Sequence, residues 1–163
     1  MKYSAKLTER VRRFERNWLK MAEDNCLFCR IVSGELAATI VYEDDNSVAF
    51  LDHRPLFYGH TLLVPRVHVE TLADLPVSLI GPFFKTAQLL SRAIEPALGA
   101  EGTFVAMNNR VSQSVPHLHV HVVPRRRKDG LKGFFWPRTK YKNEEEMLAI
   151  KKLIAQKIKH TES

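Results

Sequence analysis

HLHVHVV, residues 117–123, is the stretch that decides the fold of this chain, because its three histidines alternate strictly with apolar residues. Strict alternation is typical of a half-buried β-strand, on which every second side chain faces the same way. The strand therefore presents its imidazoles in a row on one face and packs its apolar side chains into a core on the other. Histidine titrates near neutral pH and serves as nucleophile, acid or base, so this strand is expected to carry the function.

Four further strands and one long helix are predicted around this stretch. Apolar runs bounded by turn residues predict strands over 39–43, 47–51, 60–65 and 103–107. Asp44-Asp45-Asn46 supplies turn chemistry between the first two strands, so they are expected to form a hairpin. Helical spacing of apolar residues predicts a long amphipathic helix over 76–98. The segment 26–32 is predicted to be a short extended or turn segment.

Both ends of the chain are predicted to be helical. Apolar residues at helical spacing predict a helix over 2–22, and the capping pair Asn143 and Glu146 predicts another over 144–159. The expected fold class is α+β, with about five antiparallel strands, one long central helix, and N- and C-terminal helices. The expected organisation is an N-terminal helical extension (1–24), a main domain (25–127), and a C-terminal tail and helix (128–163) packed on the same domain or on a dimer partner.

Composition indicates a soluble globular protein of 163 residues, 45% of them apolar and 26% charged. No apolar run approaches the ~20 residues of a membrane span. The basic N-terminal stretch lacks the continuous apolar segment of a secretory signal, so a cytoplasmic protein without a membrane partner is expected. The formal charge of +7 favours anionic partners or a solvated surface.

Two chemistries suit a row of histidines on a strand. Imidazoles in this arrangement bind metal, or one of them attacks phosphorus in nucleotidyl transfer while a neighbour hydrogen-bonds the phosphate or the leaving group. The alternative is a polar strand face with solvated histidines. Asn108, Gln113 and Ser114 precede the strand and supply hydrogen-bonding side chains suited to a phosphate, which favours the transfer chemistry.

The two cysteines, Cys26 and Cys29, are separated by two residues. In a reducing compartment this spacing favours a metal or redox pair over a structural disulfide. A redox pair would need to lie between a strand and a helix, and the sequence around it indicates no such context. The remaining alternative is two buried cysteines without a metal.

Residues 117–123 resemble the signature His-φ-His-φ-His-φ-φ, where φ is apolar, of the histidine triad (HIT) superfamily. Residues 25–35, 41–44, 49–52, 59–68 and 113–115 are also similar to segments of that family, in the same order. The resemblance covers about residues 25–125 and implies a HIT-like fold and a homodimer. It also implies a nucleotidyl hydrolase or transferase that acts at the α-phosphate of a purine nucleotide or nucleotide conjugate through a nucleotidyl-histidine intermediate.

The resemblance assigns roles residue by residue. It makes His119 the nucleophile, and His121 and His60 its catalytic partners at the phosphate or leaving group. It implies a structural zinc ion, with no organic cofactor, held by Cys26, Cys29, His68 and His117. The implied substrate-binding residues are Asp52 for the ribose, Phe28 and Ile31 for the base, and Asn108, Gln113 and Ser114 for the phosphate.

Some features leave the function open. The loop Asn108–Gln113 is shorter than is usual in the family, and Ser112 stands where a glycine usually precedes the glutamine. The signature suits both a dinucleoside polyphosphate hydrolase and a nucleoside phosphoramidase. Residues 134–136 are candidates for an interface or a substrate pocket. Two alternatives from other classes are a low-turnover nucleotide-binding regulatory protein and a basic nucleic-acid-binding module, and nucleic acid is the less expected partner.

Overall fold

A computed structural model describes residues 25–131 and 140–161. The predicted helix over 2–22 and the cluster at 134–136 lie outside these residues and stay predictions. The chain divides into two units, one ending at Arg127 and the other beginning at Lys128, and each is described by itself. The second unit contains helix α3 (Glu144–Thr161), close to the helix predicted over 144–159.

The first unit contains one antiparallel sheet of five strands in the order β1-β2-β3-β5-β4. Its helices are the six-residue α1 (Leu27–Val32) and the 22-residue α2 (Val77–Leu98), with a 3₁₀ turn at Leu72–Asp74. This architecture confirms the predicted α+β class, the five antiparallel strands and the long central helix. The strands are β1 (Ile40–Glu43), β2 (Ser47–Leu51), β3 (Thr61–Pro65), β4 (Gly102–Ala106) and β5 (Val120–Arg125).

One face of the sheet packs against α2. The register aligns Ala49 of β2 with Leu63 of β3, and Leu63 with Val120 of β5, in one cross-strand row. These three residues form a buried cluster with α2 side chains such as Phe83 and Leu90. Residues opposite one another in a sheet share a face, so the alternating apolar positions of three strands supply this half of the core.

The other face packs against α1. Phe50 of β2 and Leu62 of β3 are partners in the register and belong to a second buried cluster that includes Cys26 and Phe28. The rings of Phe28 and Phe50 meet edge to face, with centroids 5.5 Å apart. Phe28 is the buried side chain of this short helix, and Cys29, Ile31 and Val32 also pack against the cluster.

The predicted extended segment over 26–32 is wrong, because residues 27–32 form α1. The Arg30 amide donates to the Cys26 carbonyl at 3.1 Å, and the Ser33 amide donates to the Cys29 carbonyl at 2.8 Å. A six-residue apolar run is too short for its periodicity to distinguish helix from strand. Tertiary packing of Phe28, which the local sequence does not reveal, stabilises the helix.

The histidine strand begins later than predicted, at Val120 instead of His117. The backbone before Val120 makes hydrogen bonds outside the sheet, since the main-chain amide of Leu118 donates to the Val69 carbonyl at 2.6 Å. Leu118 still packs in the same buried cluster as Val120 and Val122. The alternation of side chains therefore extends further than the ladder of backbone hydrogen bonds.

Among the described helices, none has both the length and the hydropathy needed to cross a bilayer.

The β1–β2 hairpin is joined to α2 by the side chain of Asp44. Its Oδ1 accepts the amides of Asn46 and Ser47, both at 2.8 Å, and its Oδ2 accepts the Thr86 hydroxyl of α2 at 3.1 Å. Burial by itself raises the pKa of Asp44, but the hydrogen bonds from Asn46, Ser47 and Thr86 outweigh burial and hold the pKa below its usual value. The charged form is thus the form that the fold stabilises.

Asp44→Asn is therefore expected to lower the free energy of unfolding at pH 7 by about 1–2 kcal/mol, because a neutral amide accepts these bonds more weakly. A lowered carboxyl pKa contributes stability above the unfolded value of ~3.9 and loses it as pH falls further. Urea unfolding at pH 7 and pH 3 should show the difference between variant and wild type shrinking in acid. Asp45→Asn, at the exposed neighbouring position, is the matched control. Equal effects of the two substitutions would contradict the assigned role of Asp44.

Candidate functional site

The three histidines of residues 117–121 lie on the sheet face that α1 covers. The ring of Phe28 meets the rings of His117 and His119 edge to face, with centroids 6.0 and 5.2 Å away. The rings of His119 and His121 are 4.9 Å apart. His121 is the register partner of Leu62, which belongs to the same face. The structure thus has the row of imidazoles that the alternation predicts.

A main-chain carbonyl fixes the tautomer of His119. Its Nδ1 lies 2.7 Å from the carbonyl oxygen of His117, and the side chain is 2% exposed. A carbonyl only accepts, so Nδ1 carries the proton and donates it. The lone pair of the neutral ring is therefore on Nε2, the nitrogen not used by the backbone.

His60 and His121 form a pair whose tautomers are also fixed by the backbone. The amide of Leu56 donates to His60 Nδ1 at 3.2 Å, so that nitrogen carries a lone pair and Nε2 carries the proton. His60 Nε2 lies 2.9 Å from His121 Nδ1 and donates to it. His121 consequently carries its proton on Nε2. His121 and His119 therefore have opposite tautomers, one with a donor and the other with an acceptor at Nε2.

Both members of the pair are held neutral. Burial, followed by the neighbouring His119 and His60, lowers the pKa of His121 to about 4, although Asp52 opposes the shift. Burial also lowers the pKa of His60, against the attraction of Asp52. His60 Nδ1 lies 3.4 Å from Asp52 Oδ2, but a neutral ring that accepts the Leu56 amide does not make an ion pair there.

Asp52 lies at the end of β2, between His60 and His53. Its Oδ1 accepts the Arg54 amide at 2.8 Å and lies 3.7 Å from His53 Nδ1. Its Oδ2 is the oxygen that approaches His60. The carboxylate keeps free lone pairs for a further donor, because the described contacts use only part of its accepting capacity.

A cavity of about 640 Å³ opens beside His119 and His121. Its walls are mainly apolar and come from α1, the segment before β1, the inner strands and the loop before β5. Sequence reasoning named Phe28, Ile31, Asp52 and Ser114 in this wall besides the two histidines. It missed Leu27, Leu36, Ala37, Ala38, Thr39, Phe50, Leu51, His53, Leu62 and Val115.

The missed residues differ in whether the sequence carried a signal for them. Phe50 and Leu62 alternate in phase with the histidines once the strands are aligned, so the register of β2, β3 and β5 would have identified them. Leu27 was missed because α1 was not predicted. His53 carries no periodic signal, since it lies in the irregular loop after β2.

Asn108 and Gln113 are not among the residues that line the cavity. The side-chain amide of Asn108 donates to the main-chain carbonyl of Ser112 at 3.0 Å. The side-chain amide of Gln113 donates to the main-chain carbonyls of Glu70 at 2.7 Å and His117 at 3.3 Å. These side chains satisfy loop backbone, and their predicted contact with a phosphate stays a prediction. Ser112 has φ = 58°, the left-handed conformation that glycine adopts without strain.

The predicted metal ligands Cys26, Cys29, His68 and His117 lie together, with one ligand atom from each within 4.8 Å of the others. Cys29 Sγ lies 3.2 Å from His68 Nδ1. His117 Nδ1 lies 3.4 Å from Cys26 Sγ and 3.5 Å from Cys29 Sγ. Ligand bonds of ~2.3 Å to sulfur and ~2.0 Å to nitrogen in a tetrahedron imply S···N separations of about 3.5 Å, so these donors are spaced for zinc.

The tautomer of His117 also suits a metal ligand. Its Nε2 lies 3.0 Å from the Pro65 carbonyl and donates to it, which leaves the lone pair on Nδ1 facing both sulfurs. Burial lowers the pKa of His117 to about 4; the bond to Pro65 opposes the shift, and His68 and His119 add to it. A carbonyl behind a ligating imidazole is the usual way in which proteins orient such a ligand.

The sequence matches the profile of a known family, described as the HIT domain, over residues 33–128. Adenylylsulfatase HINT3 of Arabidopsis thaliana is 35% identical over 111 residues, which are 67% of this chain and 56% of that protein. The chain thus spans little more than half the length of that relative. Adenosine 5'-monophosphoramidase hnt1 of Schizosaccharomyces pombe is 31% identical over 137 residues, 83% of this chain and 99% of that protein.

Solved structures show the same fold. A member of the HIT family of proteins from Bacillus subtilis superposes with a TM-score of 0.74 at 35% identity, covering 81% of this chain and 96% of that one. A zinc-bound histidine triad family protein from Mycobacterium smegmatis superposes with a TM-score of 0.63, also at 35% identity, covering 85% and 99%.

The neutral state of His121 predicts an acid-sensitive fold. Unfolded imidazole binds a proton below ~6.5, whereas folded His121 does so near pH 4, so the stability present above pH 6.5 is lost as pH falls toward 4. His121→Asn keeps an acceptor for His60 and does not titrate. The free energy of unfolding of this variant should depend less on pH across this window. The slope should fall by less than ~1.4 kcal/mol per pH unit, which is the effect of one full proton bound only in the unfolded state.

Denaturant titrations at several pH values from 4 to 7 measure this slope. His53→Asn, which removes an exposed histidine, is the matched control. An unchanged slope in His121→Asn would contradict the assignment of a neutral, half-buried imidazole.

Proposed function

The chain belongs to the HIT domain family, and on that premise we propose that it is a nucleotidyl hydrolase or transferase acting through a nucleotidyl-histidine intermediate on His119. The two curated relatives above are an adenylylsulfatase and an adenosine 5'-monophosphoramidase. Their names support nucleotide hydrolase or transferase chemistry for the family. The proposed substrate is a purine nucleoside 5'-phosphate joined to a leaving group.

The observation that carries the proposal is the hydrogen bond from His119 Nδ1 to the His117 carbonyl. A nucleophilic imidazole must be neutral and must present a lone pair, and this bond assigns that lone pair to Nε2. His119 also lines the 640 Å³ cavity, where a substrate would bind. In the neutral ring, attack on phosphorus therefore comes from Nε2.

The proposed reaction has two displacements at the α-phosphorus. In the first, His119 Nε2 forms a bond to phosphorus, and the bond to the leaving group breaks with its electron pair going to that group. His121 Nε2–H donates a hydrogen bond to the departing atom, with His60 donating to His121 Nδ1 from behind, and the departing group takes its proton from solvent. In the second, water attacks phosphorus and loses its proton to solvent, and the bond to His119 breaks with its electron pair returning to Nε2.

The residues around the cavity support a nucleotide as the substrate. Asp52 has accepting capacity left for a ribose diol, and Phe28 and Ile31 offer apolar surface to a base. Ser114 supplies a hydroxyl in the loop before β5. The positions of these groups suit a ligand that extends from the histidines past the end of β2.

We also propose that Cys26, Cys29, His68 and His117 hold a structural zinc ion, as the sulfur and nitrogen spacings and the zinc-bound relative support. A zinc ion with four protein ligands has no open position for substrate, so it would stabilise the fold and not take part in the reaction. His117 would then bind the metal with its side chain while its main chain serves His119.

Three further expectations remain proposals: a homodimer, a cytoplasmic location, and a role for residues 134–136 at an interface or in the substrate pocket. The homodimer bears on the role of residues 134–136, because a partner subunit would supply the interface or the substrate pocket that these residues are proposed to contact.

His119→Ala should lower the hydrolysis rate by a factor of about a thousand or more, because the variant lacks the nucleophile. Adenosine 5'-phosphoramidate, adenylyl sulfate and a dinucleoside polyphosphate form the substrate panel that identifies the leaving group. Rapid quenching followed by intact-mass measurement should detect the nucleotidyl adduct in wild type and not in His119→Ala. Arg54→Ala, which changes an exposed side chain that does not line the cavity, is the control for general damage.

Two results would contradict the proposed reaction. Tight nucleotide binding without turnover or adduct would indicate a binding protein. Salt-sensitive binding to oligonucleotides that survives His119→Ala would indicate a nucleic-acid-binding module.

Metal analysis of purified wild type should give about one zinc ion per chain, and Cys29→Ser should lose most of it. The variant should also unfold at a lower temperature, because the metal stabilises only the folded state. Ser33→Ala, at an exposed position just after α1, is the control. Equal metal content in Cys29→Ser and wild type would contradict the proposed site.

A further inference from the structure

We infer that His53 determines base specificity, by stacking its imidazole ring on the nucleobase of the bound substrate. This inference rests on the proposed function and assigns a role to a residue that neither the family resemblance nor the reaction uses. His53 lines the same cavity as His119 and His121. Its side chain is 82% exposed, so the ring is available to a ligand.

The two oxygens of Asp52 place His53 relative to the catalytic end of the site. Oδ2 faces His60, which in turn contacts His121, whereas Oδ1 lies 3.7 Å from His53. His53 therefore lies on the side of Asp52 away from His60 and His121, and His60, which is 3% exposed, lies behind the wall. A nucleotide with its phosphorus at His119 and its ribose at Asp52 extends its base away from the phosphate, toward His53.

The cavity offers the base two different walls, and the His53 ring belongs to one of them. Helix α1 supplies apolar surface through Leu27 and Ile31, while His53 comes from the separate loop after β2. A base that enters between these two elements contacts both. A flat aromatic ring stacks on any base with a strength that grows with overlap, so a bicyclic purine gains more from it than a pyrimidine.

The contacts of His53 do not commit its ring to a structural role. Its one described side-chain contact is the 3.7 Å approach to Asp52, which lies beyond hydrogen-bonding distance. The main-chain amide of Arg54 already satisfies the Asp52 oxygen that His53 approaches. A substitution at position 53 therefore changes the cavity wall while the loop keeps its own hydrogen bonds.

The test compares kcat and KM for adenosine and uridine 5'-phosphoramidates across four variants. His53→Ala should raise KM for the adenosine substrate about tenfold and leave kcat unchanged, because the base contact is the same in the ground and transition states. The rise for the uridine substrate should be smaller, about two- to threefold. His53→Phe should keep the wild-type preference, since it retains a flat ring, whereas His53→Gln should behave like His53→Ala.

Arg54→Ala is the matched control, because the Arg54 side chain is exposed and does not line the cavity. It should leave both KM values within about twofold of wild type. Equal losses for both bases, rescue by His53→Gln instead of His53→Phe, or a loss in kcat alone would each overturn the inference.

Failure of the proposed function is distinguishable from failure of this inference. If wild type hydrolyses neither these substrates nor adenylyl sulfate nor a dinucleoside polyphosphate, the reaction is disproved, and the same variants are compared by calorimetric binding of adenosine and uridine 5'-monophosphates. A selective loss of adenosine monophosphate affinity in His53→Ala then supports the inference. Equal affinities in wild type and His53→Ala, or no binding by wild type, overturn it.

Discussion

The constraint on which this structure depends is the burial of β3 on both faces. All five residues of Thr61–Pro65 are buried, so each face of the sheet needs a cover. The 22-residue α2 covers one face and extends about 33 Å. The six-residue α1 extends only about 9 Å across a sheet whose five strands span about 19 Å. The cavity beside the histidines opens on this second face, where Phe50, Leu62 and His121 line it.

Burial also sets the chemistry of the histidines. Imidazoles this close would repel one another if charged, and burial and mutual proximity lower the pKa of His117 and of His121 to about 4. In a neutral imidazole, the position of the proton is decided by hydrogen bonds. The His117 carbonyl decides it for His119, and the Leu56 amide decides it for His60 and, through His60, for His121. Two backbone groups thus give His119 and His121, two identical side chains in one row, opposite tautomers.

The sequence allowed most of the fold to be predicted, because strands and the long helix leave periodic patterns. The predicted 47–51 and 60–65 differ by at most one residue from β2 and β3. It did not allow α1 to be predicted, since that helix depends on the contact between Phe28 and a strand some 20 positions away. The predicted metal ligands were grouped by the family resemblance, and the structure brings them within reach of one another. The use of the Gln113 amide by loop carbonyls depends on the fold alone and carries no sequence signal.

His117 serves two neighbours with chemically separate groups. Its imidazole faces Cys26 and Cys29, whereas its main-chain carbonyl accepts a hydrogen bond from Nδ1 of His119. Every amino acid has a main-chain carbonyl, so a substitution at position 117 leaves this acceptor in place. Over evolutionary time, the cysteine and histidine cluster can therefore be gained or lost by point mutation in this fold, while the acceptor that orients the neighbouring histidine is inherited with the backbone.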